Sequence, residues 1–595
     1  MKRNENKKII GLILENIFTD FSKELIQSVA DILPEYKNFR LVILAGKYDG
    51  LEVVTDKQRQ DYLTIYNSVF QLDSICNFDG LIIHLGSMTP EKKRRIQTSH
   101  FENTKNIPRV FIASNMEGET IVNYDNESGI REAVNYLVNI NEFSRFCMLG
   151  GRDDNIDACA RKNIFIRCLK EKQITFSDRN YQKTDMSDQC EAEAEKLLEH
   201  NPDAQAIFCV NDSVAKSLYS AMRKRNLTPG KDILVFGFDN THLSGEMIPS
   251  LSSIGADNCS LGKKALEVLL HKMNGEETNS VLIPTRLYGR ESFHYEMYDY
   301  TELEMMNVTP AFIERMFDDC FYRYHNSYIS RENVNLKRLF YEFISRMLFA
   351  MKRRYMSIES FHEIQRMIDK FFEKGAMEYT DAAKLLNSVA RLQGSINIHQ
   401  KSIAANVMIN RLFLRIKDKA ICALAEQKTK ETTLRLEQIR NAQEFLITGM
   451  MPPDSEEENT DRLLRSLGKL GLYNGAVYLF ETPVRFTAGQ TKIFPETVQL
   501  RCVMKSGEVY FPPKERQACS ASDIFSRNEL ALKCISHVAF TLFYGHFIYG
   551  ILLCELTNDI YNRGDSIALQ IGKAFYLNEL QSRIGMNDKT KSCQK

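Results

Sequence analysis

Apolar residues in the first 295 positions fall into two alternating kinds of stretch. Short apolar runs, typical of buried strands, lie at 9–14, 41–44, 81–85, 109–113, 146–149, 206–210 and 233–238. Amphipathic stretches with helical spacing lie at 21–33, 129–138, 163–172, 190–200 and 214–225. This alternation predicts an α/β fold with parallel sheets covered on both faces. Since about 290 residues exceed one sheet of normal width, we expect two lobes around a cleft, with chain crossings near Ala113, Leu251 and Pro284.

The pattern becomes helical between residues 301 and 446. Glycine is nearly absent there, and apolar residues recur at three-four spacing, as in Leu339, Phe343, Met347 and Ala350, and again in Leu436, Ile439, Ala442 and Leu446. Such spacing is typical both of a helical bundle and of a dimeric coiled coil, and the sequence alone leaves both open.

The pattern changes again after residue 447. A Met-Pro-Pro break and a short helix at 460–467 precede strand-like runs at 475–480, 498–505, 538–543 and 547–555. A closing helix is predicted over 563–584. The run 539–553 approaches the length of a membrane span, but Gly545, His546 and Gly550 interrupt it. We therefore predict a hairpin over 538–555 inside an antiparallel sheet.

Composition adds little electrostatic information. Lys plus Arg and Asp plus Glu each number 77, so the zero net charge gives no overall footprint for DNA. The basic cluster 352–355 is typical of a solvated helix face, with nucleic-acid contact as the alternative. The 14 cysteines show no metal-ligand spacing, and the apolar run after the basic N-terminus ends at Glu15, too early for a signal peptide. These features predict a cytoplasmic protein with reduced thiols and no membrane association.

Several motifs occur in a fixed order in the first half. They are Phe-Asp-Gly-Leu-Ile-Ile at 78–83, Asn-Ile-Pro-Arg-Val at 106–110, Ala-Arg-Lys-Asn-Ile-Phe at 160–165, Cys-Val-Asn-Asp at 209–212, Phe-Gly-Phe-Asp-Asn at 236–240 and Tyr-Gly-Arg-Glu-Ser at 288–292. In this order they resemble the sugar-sensing domain of LacI/GalR-type transcription regulators, relatives of periplasmic binding proteins. The resemblance covers residues 8–295 and implies a two-lobed receptor for a small sugar or sugar derivative.

The same resemblance implies six ligand-binding residues: Glu15, Phe18, Phe21, Arg161, Asp212 and Asp239. The guanidinium group of an arginine and the carboxylates at strand ends can form hydrogen bonds with neighbouring hydroxyl groups of a ligand. Three of these choices have a structural alternative, because Asp212 would also suit a helix cap, Phe21 a core position and Arg161 a surface ion pair. Ile164, where relatives carry glycine, and the Gly-Ala pair at 255–256 depart from the pattern, so no particular ligand is implied.

The sequence says less about how the protein passes on its signal. A LacI-type repressor begins with a helix-turn-helix, whereas here the first strand begins at about residue 8, so we expect the output in the second half. Residues 447–586 resemble a GAF-type domain, which in related sensors often precedes a GGDEF diguanylate cyclase. No GGDEF signature, phosphate loop or catalytic constellation occurs in the sequence.

These features predict a sensor at 1–298, a helical transmission region at 299–446, a GAF-like domain at 447–586 and a disordered tail at 587–595. We expect a non-enzymatic regulator without cofactor or metal that forms a homodimer and relays a signal to a downstream protein. Two alternatives remain: the sensory part of a diguanylate cyclase, or a regulator that binds DNA through the helical segment.

Overall fold

The structure is a computed structural model that describes most of the chain. The described residues are 7–33, 36, 38–47, 57–85, 104–113, 116, 118–139, 142–256, 258–293, 309–321, 336–380, 382–399, 403–449, 456–487, 490, 493–526 and 536–592. The predicted crossing at Ala113 and all six candidate ligand residues lie inside these ranges.

The strands are β1 Lys8–Leu14, β2 Phe39–Ala45, β3 Gly80–His84, β4 Arg109–Ile112, β5 Ile121–Asp125, β6 Phe146–Gly150, β7 Tyr181–Lys183, β8 Ala206–Cys209, β9 Leu234–Phe238, β10 Ser252–Gly255, β11 Val281–Pro284, β12 Arg286–Tyr288, β13 Gly475–Arg485, β14 Thr497–Lys505, β15 Glu508–Tyr510, β16 Ala518–Ser520, β17 Ser536–Tyr544 and β18 Phe547–Glu555. The α-helices are α1 Asp20–Ile32, α2 Lys57–Tyr66, α3 Leu72–Ile75, α4 Asn126–Asn139, α5 Ile156–Glu171, α6 Glu191–His200, α7 Asp212–Lys224, α8 His242–Glu246, α9 Asn258–Met273, α10 Pro310–Cys320, α11 Leu336–Arg353, α12 Ile358–Glu373, α13 Ala382–His399, α14 Ile403–Gly449, α15 Glu456–Arg465 and α16 Asn558–Ser592.

The seven candidate strands of the first half divide between two sheets, as predicted. Lobe 1 contains the strand order β11-β5-β4-β3-β1-β2, and lobe 2 contains β12-β10-β9-β8-β6-β7. Most neighbouring strands are parallel and fully buried, because α-helices cover both faces of each sheet. The prediction of two α/β lobes is therefore confirmed.

The chain crosses between the lobes three times, but only one crossing lies where it was predicted. The first follows β5 at Asp125, twelve residues beyond Ala113, because β5 adds a strand to lobe 1 before the chain leaves it. The second follows β10 rather than Leu251. The third is between Pro284 and Arg286, as predicted. There the Thr285 hydroxyl donates to the Asp125 carbonyl at 2.6 Å, which fastens the third crossing to the first.

The C-terminal strands do not form a separate sheet. Strand β17 pairs in parallel with β2 of lobe 1, in the register Ser536 with Leu41 to Ala539 with Leu44. The sheet of lobe 1 thus continues through β17, β18, β13, β14 and β15, and β16 pairs with β14 to make twelve strands in all. We call the β2–β17 pairing the seam and residues 456–592 the C-terminal module.

The side chains of β2 and β17 alternate between the two faces of the sheet, and this alternation joins the hydrophobic cores of lobe 1 and the C-terminal module. Ile43 and Val538 are register partners, and both belong to the core on one face of the joint sheet. Leu44 and Ala539 are the next partners, and both belong to the core on the other face. Because side chains of successive strand residues point to opposite faces, one register aligns two apolar layers at once. Lobe 1 and the C-terminal module therefore share both cores.

The hairpin predicted over 538–555 is confirmed as β17 and β18, an antiparallel pair. No helix in the described part of the chain is both long and apolar enough to cross a membrane. Helix α16 continues to Ser592, eight residues beyond its predicted end, so residues 587–592 of the expected disordered tail are helical.

Helices α10 to α13 and the first half of α14 surround a core rich in phenylalanine. Helix α14 spans 47 residues and leaves this core after Leu424. Its last turns join the C-terminal module, where Phe445 is buried and Gln438 donates to Asp559 at 2.9 Å. Between these two anchored ends, every position from 425 to 437 whose side chain the structure describes is exposed. We call residues 425–437 the bare segment.

Candidate functional site

The carboxyl ends of the lobe 2 strands bring three of the six predicted residues together. Arg161 projects from α5, Asp212 begins α7 after β8, and Asp239 follows β9. Because β6, β8 and β9 are parallel neighbours, their carboxyl ends share one edge of the sheet. The structure therefore brings Arg161, Asp212 and Asp239 together, while their convergence with the loop 15–21 on one pocket stays a prediction. The binding of a ligand there remains a prediction.

Arg161 is the centre of this charged cluster and is only 6% exposed. Its guanidinium donates to the Val210 carbonyl at 2.8 Å, to the Asn126 side chain at 3.1 Å and to Asp239 at 3.0 Å. The same group lies 3.6 Å from the centre of the Phe238 ring. Since Asn126 is the first residue after the first crossing, Arg161 ties the lobe 2 strand ends to the junction between the lobes.

Asp239 is the accessible member of the cluster. Its side chain is 39% exposed, and its Oδ1 accepts from Arg161. Its backbone has a φ of 96°, and that of Asn240 has a φ of 46°, a region that non-glycine residues seldom adopt. Such strain persists only where the surroundings enforce it, and it concentrates at functional sites. The loop therefore presents a fixed carboxylate from a strained backbone.

Asp212 is buried beneath that loop and holds it in place through hydrogen bonds. Its side chain does not face the cleft. It is 1% exposed and accepts from the Thr241 amide at 2.8 Å and the Thr241 hydroxyl at 2.9 Å. The Ser253 hydroxyl donates to its other oxygen at 2.6 Å. Burial, followed by the nearby carboxylate of Asp239, raises the pKa of Asp212 to about 7. These contacts indicate that Asp212 positions the loop, whereas the sequence led us to expect that it contacts a ligand directly.

The expected alternatives for these residues are also resolved. The cap of α7 is Asn211, whose side chain accepts from the Val214 amide at 2.9 Å, and not Asp212. Arg161 is buried and therefore not a surface ion pair. Neither Arg161 nor Asp212 points into solvent, since neighbouring backbone and hydroxyl groups already form hydrogen bonds with them.

The Tyr-Gly-Arg-Glu-Ser motif supports the same loop. Arg290 donates to the Asn240 side chain at 2.6 Å and to the Leu251 carbonyl at 2.8 Å. Glu291 accepts from the Ser250 amide at 2.7 Å. The motif is therefore a brace for the loops around β9 and β10.

The lobe 1 residues predicted from the loop after β1 occupy different environments. Glu15 is 2% exposed, and its amide donates to the His84 carbonyl at 3.1 Å. Phe18 packs against the core shared with the C-terminal module, and the Lys47 ammonium lies 5.8 Å from its ring centre. Both residues position the loop, and neither presents an open surface comparable with that of Asp239.

Phe21 is half-buried and belongs to an aromatic group at the strand ends of lobe 1. Its ring centre lies 4.6 Å from that of His84 and 6.4 Å from that of Tyr124. Tyr124 precedes Asn126, the partner of Arg161, by two residues. The aromatic group and the charged cluster are thus linked through the end of β5. Aromatic faces suit the apolar faces of sugar rings, because both are flat and only partly hydrated.

Sequence reasoning missed the residues that hold the predicted ones, namely His84, Tyr124, Asn126, Phe238, Thr241 and Ser253. Ser253 carried a usable signal, since two adjacent serines interrupt an otherwise apolar strand, where a buried hydroxyl needs a partner. Tyr124 carried none, because β5 itself lacks a continuous apolar run.

Comparisons with known proteins find relatives of the first half of the chain. A family model described as a periplasmic binding protein-like domain matches residues 134–293. Catabolite control protein A of Priestia megaterium is 27% identical over 290 residues, or 48% of this chain and 81% of that protein. The HTH-type transcriptional regulator IdnR of Escherichia coli (strain K12) is 22% identical over 284 residues, or 47% of this chain and 78% of that protein. The crystal structure of the transcription regulator CcpA of Lactococcus lactis matches with a TM-score of 0.39 at 20% identity, covering 48% of this chain and 99% of that one. The first half of this chain thus contains a periplasmic binding protein-like domain whose homologues are LacI-family transcription regulators.

Proposed function

We propose that the first half of this protein is a receptor for a small polyhydroxylated molecule, a sugar or sugar derivative, bound between the lobes. The observation that carries the proposal is the partly exposed Asp239 carboxylate, fixed by Arg161 at the lobe 2 strand ends. A fixed carboxylate accepts hydrogen bonds from two neighbouring hydroxyls, and Phe21 offers an apolar face on the side of lobe 1. Arg161 and Asp212 are positioning residues in this scheme.

We further propose that relative movement of the lobes is the signal. Lobe 1 is fused to the C-terminal module through the seam, whereas helix α13 approaches α8 of lobe 2, immediately after the loop of Asp239. Helix α14 connects these two attachments. A ligand that favours closed lobes shifts their equilibrium by its differential affinity, and so changes the separation that α14 spans.

The loop after β1 gives a second route to the C-terminal module. The Tyr561 hydroxyl of α16 donates to the Thr19 carbonyl at 2.8 Å, and Lys47 forms a 3.0 Å ion pair with Asp565. The helix–sheet–helix order of the C-terminal module resembles GAF-type domains, so we assign the output to it, acting on a downstream signalling protein. We expect the protein to work as a homodimer.

A thermal-shift and calorimetry screen of sugars, nucleosides and phosphorylated metabolites on the full chain tests the receptor function. A ligand at a hundred times its Kd should add about 2.7 kcal/mol of apparent stability. Asp239→Asn should weaken binding about 10- to 100-fold, because a hydrogen bond to a charged group contributes about 1.5–3 kcal/mol. The matched control is Asp203→Asn, at the amino end of β8, which should leave affinity unchanged. Equal affinities of the two variants would place the site elsewhere.

A further inference from the structure

Helix α14 carries a straight exposed apolar stripe along nearly its whole length. The stripe residues Ile403, Val407, Leu414, Ile421 and Ile439 are between 48% and 84% exposed. At about 100° per residue, all of them fall within roughly 40° on the helix surface. Ala425 and Thr432, both exposed, fall in the same sector and continue the stripe across the bare segment. Apolar side chains aligned over such a distance indicate a contact surface.

The bare segment is a second reason to expect a partner that packs against α14. It is a helix of about three to four turns without neighbours, a length that is marginal for an unsupported helix in water. It also contains Thr429, Thr432 and Thr433, whose branched side chains disfavour helix and whose hydroxyls bond to carbonyls four residues earlier. Packing along one side would stabilise this stretch.

We propose that α14 pairs in parallel with α14 of a second copy of this chain. The stripe repeats every 18 residues, from Ile403 to Ile421 to Ile439, so it runs straight at 3.6 residues per turn. A partner must match it over about 54 Å. Among the described helices, only α14 and α16 exceed 18 residues, and α16 packs against its own sheet. This inference goes beyond the proposed receptor function and does not rest on it.

The charges beside the stripe favour a parallel over an antiparallel orientation of the two helices. One flank of the stripe carries the cations Lys417, Lys428 and Arg435, and the other flank carries Asp418 together with Arg411. An antiparallel pair centred on Ile421 would set the cationic flanks against each other, whereas a parallel pair sets Lys417 of one copy beside Asp418 of the other. Two helices in contact over this length bury on the order of 1,000–2,000 Å², the size of a specific interface.

Disulfide cross-linking of the full chain tests this pairing. The background is Cys422→Ser, because Cys422 is exposed one residue from Ile421. Ala425→Cys lies on the stripe, and Leu434→Cys lies about 180° away on the same exposed segment. Under mild oxidation at micromolar concentration, the Ala425→Cys protein should form a covalent dimer at least ten times faster than the Leu434→Cys protein. An antiparallel pair would not bring the two 425 positions together.

Adding Leu414→Asp and Ile421→Asp should abolish the 425 cross-link, while light scattering shows a shift toward monomer. Both positions are more than half exposed, so folding should be retained, which circular dichroism verifies. Equal rates at 425 and 434, or a 425 cross-link that survives both aspartates, would overturn the proposal.

Discussion

The buried carboxylate of Asp212 predicts an unusual dependence of stability on pH. Its three hydrogen bonds hold the Asp239 loop, yet burial and Asp239 raise its pKa to about 7, against an ordinary value of 3.8. The folded protein therefore retains a proton over a pH range in which the unfolded chain releases it. This contribution is present below about pH 4 and is lost as pH rises through about 7.

The magnitude follows from the two pKa values. Between pH 5 and pH 8 the wild-type protein should lose about 2–3 kcal/mol of stability from this group alone. Asp212→Asn has no charge to bury, so it should not show that loss. It should be less stable than wild type at pH 5 by about 1–3 kcal/mol, because its amide presents two N–H donors to the groups around it, where the protonated acid presents one O–H donor and keeps a second oxygen as acceptor.

The assay compares the apparent Tm of wild type and Asp212→Asn from pH 5 to pH 8. Asp73, whose pKa burial raises to about 8, is common to both proteins and cancels in the difference. A relative change of about 2–3 kcal/mol corresponds to roughly 5–10 °C for a lobe of this size. Parallel curves would refute the reasoning, since they would mean that the hydrogen bonds outweigh burial and keep Asp212 ionised at low pH.

Two further predictions concern the loop and its connection to the C-terminal module. Gly237→Ala should destabilise lobe 2 by about 1–3 kcal/mol in thermal unfolding, because the new Cβ would lie 2.3 Å from the Asp212 carboxylate; Gly245→Ala, which faces open space, should cost nothing. Tyr561→Phe should leave ligand affinity within about threefold but reduce the ligand-induced change in hydrogen exchange at the start of α16, because it removes the bond to Thr19. An unchanged exchange response would mean that the loop does not signal through Tyr561.

The sequence predicted those parts of the fold that depend on local pattern. Continuous apolar runs identified the central strands of both lobes, because buried parallel strands need apolar side chains on both faces. Strand β5 escaped notice because its Asn123, Tyr124 and Asp125 break the apolar run, and the first crossing was therefore misplaced. The seam escaped as well, since β2 and β17 lie almost 500 residues apart and any two apolar strands look alike in sequence.

The candidate site was predicted by position but not by orientation. Strand-end location is a property of sequence order, so Arg161, Asp212 and Asp239 were found together. Whether a strand-end carboxylate faces a cleft or a hydroxyl depends on distant residues such as Ser253, which only the fold brings near. The aromatic group around Phe21 was missed for the same reason, because the partners of Phe21 come from β3 and β5.

The seam also changes what counts as a folding unit in this protein. Cutting the chain between the sensor and the C-terminal module would leave β2 and β17 with unpaired backbone groups along exposed edges, a template for aggregation. It would also divide two hydrophobic cores whose residues come from both sides of the cut. The domain boundaries visible in the sequence are therefore not boundaries between folded units, because lobe 1 and the C-terminal module share one sheet and both of its cores.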